Sequence, residues 1–309
     1  MRQTVVLSTL WTLLAAWVVS AGQPSRYPTR FQPTHPDVKY GPNARHVMDL
    51  WLAKSDKPTP VLVSIHGGGF NSGDRMVDFR LLPGCLKSGI SVVAITYRLS
   101  GEAKAPAQFL DSARAVQFIR SKAKEWNLDP SRIAATGSSA GAGISLWLGF
   151  HDDLADPRNN NPVLRQSTRL TSVVTYDGQT SYDPRFIRDL FPGTETYKNG
   201  ALAMLFDVDL NRLDQLPEAK YRRFEEVSPL HHLTKDDPPV LLIYTRKFDT
   251  PLPKPDPGVG IHHPLFGKAL KEKMDALGIE CQVATDIQLR NDAWGTLAMD
   301  FLKKHFGVK

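Results

Sequence analysis

The feature that most constrains this chain is an alternation of short, apolar, β-branched runs with longer stretches of helical periodicity. Pro60–Ile65 and Ile90–Thr96 read as buried strands. Ala107–Trp126 then carries Phe109, Ala113, Val116 and Ile119 at helical spacing. A strand at Ile133–Thr136 leads into a helix at Ala140–Phe150, and strands follow at Leu170–Thr175 and Pro239–Tyr244. A helix at Pro264–Leu277 opens on a proline, whose missing N–H costs nothing there, and is closed by Gly278. A strand at Ile279–Ala284 and a helix at Ala293–Phe306 end the chain. Alternation of this kind predicts an α/β fold with a mostly parallel sheet covered by helices on both faces. Such sheets bind ligands at the carboxyl ends of their strands, so chemistry is expected just after each strand. Lys39–Leu52 suits an opening β-hairpin, and residues 180–230, richer in Asp, Arg and Pro, read as a small cap insertion over the binding end.

The 309 residues suffice for one large domain that needs neither metal nor disulfide for stability. Arg2, the apolar run Val5–Val19 and the small residues Val19-Ser20-Ala21 form the three parts of a secretory signal peptide. The expected organisation is therefore a signal peptide at 1–21, an extended leader at 22–37 rich in Pro, Arg and Thr, and one α/β domain at 38–309 that carries the cap insertion. The apolar run falls short of the roughly 20 residues that span a bilayer. No stable membrane span is expected after cleavage, and the location is periplasmic or extracellular. A net charge of +6 is scattered, with only Lys271–Lys273 and Lys303–Lys304 as local groups. Solvated helix faces explain them better than a nucleic-acid surface. Cys85 and Cys281 read as two free, buried thiols rather than a bridge. The pairs His231-His232 and His262-His263 are adjacent and do not converge as metal ligands at helical spacing would, so no metal site is expected.

Two motifs carry chemistry. Gly137-Ser138-Ser139-Ala140-Gly141 lies between a strand and a helix, the context of a nucleophile elbow. Ser139 would stand at a helix N-terminus, where unpaired N–H groups favour developing negative charge. His66-Gly67-Gly68-Gly69-Phe70 follows the first buried strand, at the same end of the sheet. The N–H groups of Gly68, Gly69 and Ala140 would form an oxyanion hole, and His66 would hold the loop without itself being catalytic.

With Tyr97-Arg98-Leu99 and Pro238–Tyr244 followed by Asp249-Thr250, these motifs make the chain resemble the esterase/lipase branch of the α/β-hydrolase superfamily. The resemblance is to hormone-sensitive lipase and to secreted carbohydrate acetyl and feruloyl esterases, and covers about residues 38–308. It implies an eight-stranded, mostly parallel sheet and ester hydrolysis through an acyl-enzyme on Ser139, with no cofactor. It also implies an acid after the Pro239–Tyr244 strand, which matches Asp249; Asp177, after the preceding strand, is the competitor.

The resemblance places the base after the last strand, at about 285–295, and that stretch holds no histidine. His263, from the loop beyond Asp249, is the first candidate for the base, with His262 beside it. His231 and His232 precede a strand and belong at the opposite end of the sheet. The function expected is a secreted carboxylic-ester hydrolase acting on short acyl esters, small or linked to polysaccharide. The alternatives are a catalytically impaired hydrolase-fold binding protein and a peptidase of the oligopeptidase type, which would need a large additional domain.

Overall fold

A computed structural model describes residues 26–252, 257–286 and 293–309. The expected signal peptide at 1–21 lies outside the described residues. The chain divides into two units, residues 1–32 and 33–309. In the first, a 3-10 turn at Thr29–Phe31 is tied by Gln32 Nε2, which donates to the carbonyl of Tyr27 at 2.7 Å.

The second unit is built on one sheet of eight strands. They are β1 (His35–Lys39), β2 (Val47–Trp51), β3 (Thr59–Ile65), β4 (Ser91–Ile95), β5 (Leu128–Ser138), β6 (Ser172–Tyr176), β7 (Val240–Ile243) and β8 (Cys281–Ala284). The order across the sheet is β1-β2-β4-β3-β5-β6-β7-β8. Only the β1–β2 and β2–β4 pairs are antiparallel; from β4 to β8 every pair is parallel. The parallel strands are apolar on both sides, as a sheet covered on two faces requires.

The helices are α1 (Leu82–Lys87), α2 (Ala107–Ser121), α3 (Ala140–Phe150), α4 (Pro184–Leu190), α5 (Gly200–Phe206), α6 (Glu218–Glu226), α7 (Pro229–His232), α8 (Pro257–Gly260), α9 (Leu265–Leu277) and α10 (Ala293–Phe306). Strand periodicity sorts the core into two layers. Val61, Val63 and Ile65 of β3 join Phe109 and Val116 of α2 and Trp147 of α3. Further along the same face, Val173, Val240 and Leu242 pack with Leu146 of α3 and with Leu270 and Met274 of α9. On the other face, Cys85 of α1 meets Met299 of α10, sulfur to sulfur, at 3.6 Å. Each such apolar side chain contributes about 1.5–3 kcal/mol on burial.

The structure adds two things to the sequence expectation. β1 begins at His35, inside the stretch expected as leader, and α1 is a helix of six residues, Leu-Pro-Gly-Cys-Leu-Lys, too short to show a period. The expected cap resolves into α4, α5 and α6 with intervening 3-10 turns. Asp183 and Asn199 cap α4 and α5 by accepting from the N–H groups of Arg185 and Ala201. Cys85 and Cys281 are buried and form no disulfide, and burial pushes both thiols up to about 12.

Candidate active site

β5 ends at Ser138, and α3 begins at Ala140, so Ser139 occupies the single residue between strand and helix. Its φ of 51° and ψ of −120° are sparsely populated for a residue with a side chain. The strain is held by the surroundings: the Ser139 N–H donates to the carbonyl of Tyr176, at 3.0 Å, and its carbonyl accepts from Gly143. The turn demands glycine at 141, where a Cβ would lie 2.1 Å from the carbonyl oxygen of Ile65. The Ala140 N–H opens α3 and is one of those that a helix leaves without an intrahelical partner.

The glycine loop sits at the end of the neighbouring β3. Gly68 has φ of +98°, and its carbonyl accepts from the N–H groups of Asn71 and Ser72, each at 3.1 Å, which closes a tight turn. Phe70 anchors the turn among Phe109 and Tyr182, and its carbonyl accepts from the Ser100 N–H. His66 is buried, stacked on Tyr97 at 4.2 Å, with Nδ1 2.8 Å from the Gly67 carbonyl. Tyr97 donates in turn to the His66 carbonyl at 2.9 Å, which gives the Tyr97-Arg98-Leu99 motif a physical role. Burial lowers the His66 pKa to about 4, so the ring is neutral at pH 7.

His262 comes to the elbow. Its Nε2 lies 2.8 Å from Ser139 Oγ. His263, the first candidate for the base, does not: its ring is 1 % exposed, turned inward against Phe191. There Nε2 lies 3.1 Å from the carbonyl of Thr250, and Nδ1 accepts from the Leu265 N–H. The physical reason is the turn into α9, which sends two adjacent side chains opposite ways. His263 is the anchor of that turn and His262 its outward face.

Neither candidate acid reaches the ring directly. Asp249 lies on an exposed turn, and among the described residues no hydrogen bond joins it to either histidine. Asp177 follows β6 with φ of 48°; among the described residues no hydrogen bond joins it to His262 either, and its charge acts on that ring at longer range. Burial lowers the His262 pKa, Asp177 raises it and Arg246 lowers it. The Asp177 carboxylate is oriented by Thr245, whose N–H and Oγ1 donate to Oδ1 at 2.9 and 3.1 Å.

Gln179 lies two residues beyond Asp177. This buried side chain donates from Nε2 to the carbonyl of Ile261, at 2.6 Å, and so holds the residue just before His262. Its sequence signal was proximity to Asp177 alone. Where the stretch expected to hold a base is described, Asp286 pairs with Lys247 at 3.2 Å; residues 287–292 lie outside the described residues. The rings of His151 and His232 lie 4.6 Å apart, tilted at 45°, beside Trp147 at the far end of α3 from Ser139. Among the described residues there is no cluster of three or more His, Cys, Asp or Glu able to hold a metal ion.

A strained serine between a parallel strand and a helix, beneath a glycine loop on the adjacent strand, defines the α/β-hydrolase class. Solved structures share this fold, two of them as follows. A truncated carbohydrate esterase from gut microbiota is 20% identical with a TM-score of 0.66, covering 88% of this chain and 95% of its own. An esterase from Thermogutta terrifontis, solved with propionate bound, is 20% identical with a TM-score of 0.60, covering 88% and 94%. The BD-FAE family model matches residues 48–253, and the chain belongs to that family. Among curated relatives, esterase LipC of Mycobacterium tuberculosis is 26% identical over 212 residues, 67% of this chain and 49% of LipC. The probable carboxylic ester hydrolase LipM of the same organism is 27% identical over 215 residues, 68% of this chain and 47% of LipM. The chain thus spans about half the length of these relatives.

Proposed function

We propose that the protein is a carboxylic-ester hydrolase that works through an acyl-enzyme on Ser139. The observation that carries this reading is the 2.8 Å approach of His262 Nε2 to Ser139 Oγ at a strained elbow. With its ring proton on Nδ1, His262 accepts the hydroxyl proton at Nε2 as Oγ attacks the ester carbonyl. The N–H groups of Gly68, Gly69 and Ala140 receive the oxyanion. The tetrahedral intermediate collapses, the C–O bond to the alcohol breaks, and His262 returns the proton to the departing oxygen. Water then attacks the acyl-enzyme with His262 again as base. Asp177 stabilises the imidazolium that forms at each step, and Gln179 keeps its loop in register.

The names of the relatives support an ester as substrate, and the carbohydrate esterase and the acetyl ester-xyloside hydrolase among the structural neighbours support an acetyl ester on a carbohydrate as one source. Export is proposed from the composition of residues 1–21. The test is p-nitrophenyl acetate turnover by the purified chain beside Ser139→Ala, followed by peptide mass mapping after treatment with diethyl p-nitrophenyl phosphate. Turnover lost in Ser139→Ala and a phosphoryl adduct on Ser139 are expected. Equal turnover by both proteins, with no adduct, would remove the reading.

A further inference from the structure

On the face of the sheet opposite α2 and α3, a cavity of about 450 Å³ lies between the strands and the segment leading into α1. It passes the elbow at Gly137 and Ser138, yet none of Ser139, His262, Gly68, Gly69 or Ala140 lines it. Strand register sets its composition. Ser64 of β3 pairs with Thr136 of β5, and Ser138 of β5 pairs with Tyr176 of β6, so His66, Thr136 and Tyr176 reach it from the ends of three neighbouring strands. Leu62 and Val92 on the sheet side, and Val77 and Leu82 on the other, make the rest of the wall largely aliphatic. Three polar atoms of the lining residues are buried and have no hydrogen-bond partner: Thr136 Oγ1, Tyr176 OH and His66 Nε2. Thr136 is 5 % exposed and His66 4 %. The Gly67 carbonyl beside His66 Nδ1 can only accept, so Nδ1 carries the ring proton and Nε2 is an acceptor; the two hydroxyls can donate or accept. Buried polar groups ordinarily have partners, and three without one around a single cavity call for a guest that brings its own hydroxyl. Where the cavity meets solvent, Arg80 donates to Asp78 through two nitrogens, at 2.9 and 3.1 Å, so the two charges answer each other and neither asks for an ionic guest.

We propose that this cavity is a second, non-catalytic binding site, and that it takes a neutral hydroxylated ring such as a phenol or a cyclic alcohol. The ligand's hydroxyl donates to His66 Nε2 and accepts from Thr136 or Tyr176, while its apolar body lies against the aliphatic wall. Phe79 and Tyr176 add aromatic rings to the lining, which suits a ring better than a chain. The site stands apart from the ester-hydrolase reading, because no group of the proposed catalytic machinery belongs to it. It bears on that machinery only through His66, whose other nitrogen holds the Gly67 carbonyl at the head of the glycine loop.

The test is calorimetric binding of phenol and of toluene to the wild-type chain, to Ser139→Ala and to a double variant, Thr136→Val with Tyr176→Phe. Phenol should bind the wild type at least about tenfold more tightly than toluene, which has the same shape without the hydroxyl. A merely apolar cavity would give the opposite order, because toluene leaves water more readily. The double variant removes two unpartnered hydroxyls with little change of shape, so it should fold and melt at or above the wild-type temperature. It should weaken phenol by about tenfold and leave toluene unchanged. Ser139→Ala should bind phenol as the wild type does, whether or not the chain turns over esters. Toluene binding as tightly as phenol, phenol affinity unchanged in the double variant, or no phenol binding by the folded wild type at millimolar concentration would each overturn the proposal. Phenol binding lost in Ser139→Ala and kept in the double variant would move the ligand to the catalytic face and overturn it as well.

Discussion

Exchanging the roles of two neighbouring histidines is the sharpest test of the site. His262→Ala removes the group 2.8 Å from Ser139 Oγ, and loss of a general base in such a triad costs about ten-thousandfold in kcat, or about 5 kcal/mol of transition-state stabilisation. The His262 ring is partly exposed, so its removal should leave stability within about 1 kcal/mol. His263→Ala does the reverse. It empties a buried site against Phe191, and it leaves the Thr250 carbonyl and the Leu265 N–H without partners. A cost of about 2–4 kcal/mol follows, which lowers the melting temperature by about 5–10 °C. Its effect on rate comes only through misplacement of His262, about 10- to 100-fold. The assay pairs p-nitrophenyl acetate turnover with thermal melting for both variants. A His262→Ala enzyme within tenfold of wild type, beside a His263→Ala enzyme that melts normally and has no activity, would refute the assignment.

Asp177→Asn should cut kcat by about 100-fold or more, while Asp249→Asn stays near wild type; a loss confined to Asp249→Asn would return the acid to Asp249. The pH–rate profile should rise on its acid limb with a midpoint below pH 6.5, because burial holds the His262 pKa under its ordinary value and the neutral ring is the active form. Asp177 raises that pKa, so the residual activity of Asp177→Asn should show the limb at still lower pH. His66 binds a proton at about 4 when folded and near 6.5 when unfolded, so its contribution to stability is complete above pH 6.5 and is lost as pH falls toward 4. Urea melts of wild type and His66→Asn should therefore diverge across that window, by up to roughly 3 kcal/mol, and parallel curves would exclude the linkage. Gly68→Ala should lose about 100-fold or more in kcat, since a Cβ there meets the Ser72 carbonyl oxygen at 2.4 Å and displaces the oxyanion donors. Ellman's reagent should label neither cysteine in the native chain and both in denaturant; a single disulfide found by mass would contradict the fold.

The parts legible in the sequence are those whose meaning is local. Gly137–Gly141 and His66–Phe70 are turns with residues that only those turns require, and the apolar runs fix where the strands lie. The choice between His262 and His263 is not local. It depends on the path of residues 260–263, which is set from a distance: Gln179 binds the Ile261 carbonyl across 82 positions, and the Gly260 backbone lies so close to Thr196 that a Cβ would be 2.0 Å from its Oγ1. The same holds for the acid, because Asp177 and Asp249 both follow strands and only the packing of the His262 loop distinguishes them. α1 escaped notice because six residues cannot display a helical period.

The absence of a histidine after β8 also has a geometric resolution. Ser139 follows β5, Asp177 follows β6, and the segment bearing His262 follows β7; these three strands are consecutive neighbours in the sheet. Neighbouring strands lie about 4.8 Å apart, so all three groups start within roughly 10 Å at one edge. The connection from β7 to α9 is long enough to bring His262 back to the elbow, and from the cap segment Thr196 lies against Gly260 and Phe191 against His263 on either side of it. On the proposed assignment, a triad drawn from adjacent strand ends asks nothing of the loop after β8. The base then depends on the cap instead: Phe191→Ala, remote from Ser139, should lower kcat with little change in KM, because it loosens the anchor of His263 and thereby the position of His262. A rise in KM at constant kcat would place the cap in substrate binding alone.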